Sequence, residues 1–287
     1  MPPAGDHDIV NDSVVLDHDH PGFADPRYRA RRDAIAAISA GYQPGQPIPP
    51  VQYTDTEHEV WHTVSSQLAP KHERYACAEY RRAAARLDLP TAQVPQLSDV
   101  TERLQRLTGF EIAPVPGLVP VRTFYAALAG RRFLSTQYVR HPSVPLYTPE
   151  PDIIHEIIGH ANFLASDRMA DLYEAAGQAS LRAETDDALE FFSRVFWFSI
   201  EFGVLWEGGE LRTYGSGILS SFGELDHFRD AEVRPFDISA MGTQDYDIAV
   251  YQPVLFAARS FDHAVDELHA FFTTYDDDAH ARLTGSY

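Results

Sequence analysis

Two histidines and one glutamate are the residues whose types and spacing most clearly allow joint chemistry. His155 and His160 lie in YTPEPDIIHEIIGH, residues 147–160, and Glu201 lies in FFSRVFWFSIEFGVLW, residues 191–206, where nearly every neighbour is apolar or aromatic. An unpaired carboxylate in such surroundings costs several kcal/mol. Glu201 therefore needs a cation, either a metal ion or Arg194, seven residues back on the same helical face. Two imidazoles with one carboxylate form the set that holds non-haem Fe(II) and leaves positions open for oxygen chemistry. The zinc-protease helix is a poorer match, because it spaces its histidines i and i+4 and position 159 here is glycine. In a regular α-helix an i,i+5 pair diverges by roughly 140°. Both rings meet one ion only if the helix ends or widens to a π-turn, a distortion that Gly159 makes cheap. Two unrelated histidines on a buried helix are the other reading of the same spacing.

These side chains need elements to place them. Pro149 and Pro151 push the residues before them out of the α region, and Pro151 suits the first position of a helix through Ile153, Ile154, Ile157 and Ile158. Residues 168–181 and 186–205 read as two long helices, the second delivering Glu201. Upstream, 26–41, 55–68, 72–87, 98–107 and 123–129 read as helices, and 112–121 as a loop with short extended pieces. Residues 133–140 look β-like, 211–214 extended, 214–221 a glycine-rich loop before a short helix at Phe222, and 245–252 a further loop. Residues 261–272 form a last amphipathic helix. The fold class expected is mainly α with a few short strands.

A chain of 287 residues is long enough for one large core, and no shift in composition divides it. A single domain is expected over residues 19–287, behind a flexible tail at residues 1–18 that is rich in Asp, His, Pro and Gly. Against 23 Lys and Arg stand 42 Asp and Glu, a formal charge of -19 that repels nucleic acid and anionic membranes. Cys77, the single cysteine, rules out an internal disulfide framework and reads as a buried structural residue in a reducing compartment. Nothing at the amino terminus resembles a secretory signal, and no window is apolar enough for a membrane span. A cytoplasmic protein is expected.

Six blocks resemble one family, the pterin-dependent aromatic amino acid hydroxylases, in its order. They are residues 19–32 (DHPGFADPRYRARR), 45–53, 94–110, 136–160, 197–203 (WFSIEFG) and 214–225 (YGSGILSSFGEL). The resemblance covers roughly residues 19–272 and is closest to the phenylalanine-hydroxylating branch. It implies conversion of L-phenylalanine to L-tyrosine with O2 and a tetrahydropterin at Fe(II) held by His155, His160 and Glu201. It implies that Gly117, Leu118, Val119, Phe124, Glu156 and Phe196 face the pterin. It places Arg140 on the substrate carboxylate, with Thr148, Gly217, Ser220 and Glu224 around the amino acid. Trp197 and Phe202 would wall the ring, and with Glu156 they make up the reacting centre. Phe196 departs from the family's usual tyrosine. Trp197 argues against tryptophan as substrate, and Ile248 gives a phenol hydroxyl no partner, although Asp247 is adjacent. Tyrosine or tryptophan hydroxylation stays open as an alternative, with a zinc hydrolase as a remote one. Because the chain lacks the family's long carboxy-terminal arm, a monomer is expected.

Overall fold

Side-chain caps set where several helices of this computed structural model begin. The structure describes residues 20–248 and 250–285, so the tail expected at residues 1–18 lies outside it. Helix α1 (Pro26–Ala40) starts at Asp25, whose carboxylate accepts the Arg27 and Tyr28 N–H groups. Helix α2 (Asp55–Tyr75) starts at a capping box of Thr54 and Glu57. It runs past the stop expected at Leu68. Pro70 and Ser66 both lie on its exposed face, so the carbonyl that the proline leaves unpaired reaches water, while Val60, Trp61, Val64 and Leu68 bury the other face. The break falls instead at Ala76 and Cys77, where the Cys77 N–H donates to the Thr213 carbonyl. Helices α3 (Ala78–Leu87) and α4 (Leu97–Leu107) follow.

A parallel pair, β1 (Glu111–Pro114) and β2 (Arg132–Ser135), flanks α5 (Val121–Leu128), with Glu111 opposite Arg132 and Pro114 opposite Ser135. The β-like stretch expected to Arg140 stops at Ser135. After a long connection come a wide helical turn (His155–Ala161), α6 (Asn162–Leu164) and α7 (Asp167–Arg182). Helix α8 (Asp186–Phe196) ends in a second wide turn (Trp197–Glu201). Helix α7 packs against α5 on one side and α12 (Phe261–Thr274) on the other.

The helix expected to reach Leu205 ends four residues early. The Phe202 N–H donates to the Trp197 carbonyl, a five-residue step, and the chain then turns at Gly203. A Cβ at Gly203 would lie 2.2 Å from the Ser199 carbonyl oxygen, so only glycine fits. Residues 204–207 become β3, paired antiparallel with β4 (Glu210–Thr213) and parallel with β6 (Val254–Ala258), which in turn pairs with β5 (Glu232–Pro235). The sheet order is β4-β3-β6-β5. Short helices α9 (Ser216–Leu219), α10 (Phe222–His227) and α11 (Ile238–Thr243) bridge its strands, and α13 (Asp277–Thr284) closes the described chain. One continuous apolar core draws on residues from Val60 to Ala279, and α1 contributes Ile35 to a smaller cluster with Val51 and Tyr138. Among the described residues, no helix is long and apolar enough to cross a membrane.

Candidate metal centre

The wide turn at His155–Ala161 resolves the spacing problem of the two histidines. The Asn162 N–H reaches back to the Ile157 carbonyl, five residues away, so both imidazoles turn to one side. Their Nε2 atoms lie 3.1 Å apart, and His160 Nε2 lies 3.2 Å from Glu201 Oε1. His155 Nε2 is 4.0 Å from Glu201 Oε2. Ligands at right angles around an ion at about 2.1 Å would sit about 3 Å apart, which two of the three edges match, and the third, to the other carboxylate oxygen, is about 1 Å longer. Arg194, the other cation considered for Glu201, is paired elsewhere, with Glu190 at 2.6 Å and Asp245 at 2.8 Å.

The outer nitrogen of each ring is held. His155 Nδ1 lies 2.8 Å from Ser220 Oγ, whose own proton goes to the Ser216 carbonyl at 2.9 Å. Ser220 is left to accept from Nδ1–H, which keeps Nε2 bare for a metal. His160 Nδ1 lies 2.8 Å from the Tyr173 hydroxyl, which lies 3.3 Å from Ser216 Oγ. A hydroxyl pair can serve in the same way there, since Tyr173 is able to accept from His160 Nδ1–H and pass its own proton to Ser216 Oγ. Burial, reinforced by His160, pushes the His155 imidazole down to about 4, the neutral form a ligand needs. Burial alone would raise Glu201, but its contact with His160 prevails and holds it below the usual carboxylate range. The Gly217 backbone N–H supports the same carboxylate. Gly217 thus backs a ligand and packs against Phe202, where its resemblance placed it in the substrate pocket.

The start of the histidine helix differs from the sequence expectation. Pro151 is outside it and Asp152 caps it, accepting the His155 N–H at 3.1 Å on the same carboxylate that grips Arg140. Arg140 Nε and Nη2 meet Asp152 at 3.0 and 2.8 Å, with both side chains almost fully buried. The arginine fork is therefore filled from within the chain, and Nη1 has only a long 3.5 Å contact with the Pro145 carbonyl. The Thr148 hydroxyl donates to the Glu150 carbonyl and holds the turn before the helix. Glu150 itself pairs with His20 and with Arg32, which the sequence grouped with Arg29 and Arg31 as a solvated face but which is buried.

On the other side, Phe133 lies 4.6 Å from the His160 ring and 5.5 Å from Phe124, which is 6.4 Å from Phe196. Gly117 is buried, Val119 is half-buried and Leu118 is 69 % exposed. Glu156 is buried with no hydrogen-bonding partner for its carboxyl among the described residues. Burial, with Glu201 and Asp152 nearby, raises it well above the usual carboxylate range. Trp197 is 4.5 Å from Phe202 and stacks on Tyr246 at 4.3 Å. Ile248 is 72 % exposed, so the apolar wall expected from it is not in place in this conformation. Of two surface depressions of about 430 and 800 Å³, the larger is lined in part by Val119, but neither includes His155, His160 or Glu201, so the donor set identifies the centre.

Residues 5–283 match the family model described as biopterin-dependent aromatic amino acid hydroxylase. A phenylalanine 3-hydroxylase of Streptomyces coeruleorubidus is 48% identical over 266 residues, covering 93% of this chain and 95% of that protein. The phenylalanine-4-hydroxylase of Rattus norvegicus is 40% identical over 272 residues, and this chain spans 60% of its length. A tyrosine 3-monooxygenase of Mus musculus is 44% identical, spanned over 54% of its length. Among solved structures, the Colwellia psychrerythraea phenylalanine hydroxylase superposes with a TM-score of 0.75 at 33% identity, over 82% of this chain and 89% of that one. The Chromobacterium violaceum phenylalanine hydroxylase, with bound iron(III) and 7,8-dihydrobiopterin, gives 0.76 at 28% identity, over 88% and 93%.

Proposed function

Because the chain belongs to the biopterin-dependent aromatic amino acid hydroxylases, we propose that it hydroxylates the ring of L-phenylalanine, using O2 and a tetrahydropterin. The observation that carries this reading is the triangle of His155, His160 and Glu201, with both outer ring nitrogens already held. When bound, iron and the reduced pterin activate O2, delivering one oxygen atom to the ring and the other to the pterin as its 4a-hydroxy form.

The chain's own groups do the placing. Ser220 and Tyr173 keep the Nδ1 protons of the two histidines and so keep the Nε2 lone pairs aimed at the ion. Asp152 locks the Arg140 guanidinium, leaving Nη1 as the edge that meets a substrate carboxylate. Trp197 and Phe202 wall the ring, with Thr148, Gly217, Ser220 and Glu224 around the amino acid. Gly117, Leu118, Val119, Phe124 and Phe196 face the pterin, and Glu156 presents its buried carboxyl there.

The position hydroxylated has two readings. The sequence resemblance and the rat relative point to C4, giving L-tyrosine. The Streptomyces relative, more similar and matched nearly end to end, favours C3. Anaerobic loading with Fe(II), then O2, a tetrahydropterin and each aromatic amino acid, with chromatographic separation of 3- and 4-hydroxyphenylalanine, decides between them. A higher kcat/KM for tyrosine or tryptophan would overturn the substrate assignment.

A further inference from the structure

The segment after α11 returns to the ring wall through one buried side chain. Gln252 is 4 % exposed, and its Oε1 accepts the Trp197 Nε1–H at 3.1 Å. Its Nε2 donates to the carbonyls of Asp247 at 2.8 Å and Val250 at 3.1 Å. Its backbone N–H donates to Glu224 Oε1 at 3.3 Å. An indole nitrogen only donates and a carbonyl only accepts, so these partners admit one orientation of the amide and occupy both of its N–H bonds. Leaving any of them unpaired in a buried position is costly. Trp197 also stacks on Tyr246, at 4.3 Å and 12° between planes, and begins the wide turn that ends at Glu201. Tyr246 and Gln252 thus grip one indole, the first by its ring face and the second by its N–H. Between them Ile248 and Val250 stand 72 % and 52 % exposed.

We infer that Gln252 is a positioning residue that ties residues 246–248 and 250–251 to Trp197 and so sets how this segment meets the substrate's aromatic ring. The inference deepens the reading of this site as an aromatic amino acid pocket and rests on it. No other residue type supplies one acceptor and two donors at this reach. Glutamate sets an acceptor oxygen against two carbonyls, and leucine leaves the indole N–H and both carbonyls unpaired. Asparagine keeps the amide on a shorter arm.

Gln252→Glu, Gln252→Leu and Gln252→Asn test this by two readouts. The first is amide hydrogen exchange in iron-free protein, compared between peptides spanning residues 245–252 and 155–161. The second is the KM for L-phenylalanine and for the pterin in Fe(II)-loaded enzyme. The Glu and Leu variants should exchange about tenfold faster across 245–252 and normally across 155–161. Their KM for phenylalanine should rise about tenfold with the pterin KM and the iron affinity unchanged, and Gln252→Asn should fall between. Unchanged exchange across 245–252 would overturn the tether, as would faster exchange in both peptides with loss of iron binding, the mark of a general structural role. Localised exchange with an unchanged phenylalanine KM would overturn the role in the pocket. Wild-type protein that turns over no aromatic amino acid would instead sink the proposed function, leaving the exchange result to judge the tether alone.

Discussion

His155 and His160 face each other Nε2 to Nε2 across 3.1 Å, five residues apart on one widened turn. Two bare imidazole nitrogens at that distance repel unless a cation or a proton sits between them, and Glu201 supplies the compensating charge 3.2 Å from His160. The arrangement is stable with an ion and frustrated without one.

Iron should therefore stabilise the fold. At Fe(II) concentrations near 100 times the dissociation constant, mass action adds about 2.7 kcal/mol, or roughly 5 °C in Tm for a chain of this size. Glu201→Gln keeps the shape and removes the anion, and the shift should vanish. Anaerobic thermal melts with and without Fe(II) measure it, and an equal shift in the variant would refute the assignment of Glu201.

Gly159 governs the same centre from behind. A Cβ there would lie 2.7 Å from the Ser216 carbonyl oxygen, and Ser216 contacts both the Ser220 and Tyr173 hydroxyls that hold the histidines. Gly159→Ala should cost about 1–3 kcal/mol through overpacking and weaken iron binding about 10- to 100-fold. Urea unfolding and Fe(II) titration report the two effects separately. A variant with wild-type iron affinity would show that Ser216 does not govern the ring positions.

Arg140→Lys should act on two properties together. The lysine keeps the charge but cannot bridge both Asp152 oxygens, so stability should fall by about 1.5–3 kcal/mol. The KM for the amino acid should rise, with the pterin KM unchanged. Denaturant midpoints and steady-state kinetics test this, and an unchanged amino acid dependence would exclude Arg140 from carboxylate binding.

Glu224 predicts a pH dependence of stability. Burial pushes its carboxyl up to about 7 from an ordinary 4.5, only partly offset by the Gln252 N–H. Between those values the unfolded chain releases the proton and the folded one keeps it, so the contribution present below pH 4.5 is lost as pH rises through 7. Glu224→Gln should remove this loss. Its urea midpoint relative to wild type should climb between pH 4.5 and 7 and level off above. A difference that is flat with pH would show Glu224 to be ordinarily acidic.

The triad was legible in the sequence as a candidate, because residue type and spacing left Arg194 and two unrelated histidines open and the family resemblance favoured the metal. A carboxylate inside an aromatic run needs a cation, and a glycine before a late histidine marks where a helix widens. Helix starts were legible where a cap lies beside the helix, as with Asp25 before Pro26, whereas Ser98, read as opening α4, lies inside it, one residue after an uncapped start at Leu97. Pro70 misled because its cost depends on which face meets water, and only packing decides that. Residues 204 and 205 were misread as helix because their β partners lie elsewhere in the chain, at 212–213 and 257–258. The hold of Asp152 on Arg140, of Ser220 and Tyr173 on the histidines, and of Gln252 on Trp197 joins residues 12, 65, 13 and 55 positions apart. Hydrogen bonds over such separations leave no periodic trace in a chain, since each depends on where several packed elements bring two polar atoms within 3 Å. Residue types and spacing marked which groups could hold a metal, and packing of distant elements set which neighbours touch their outer atoms.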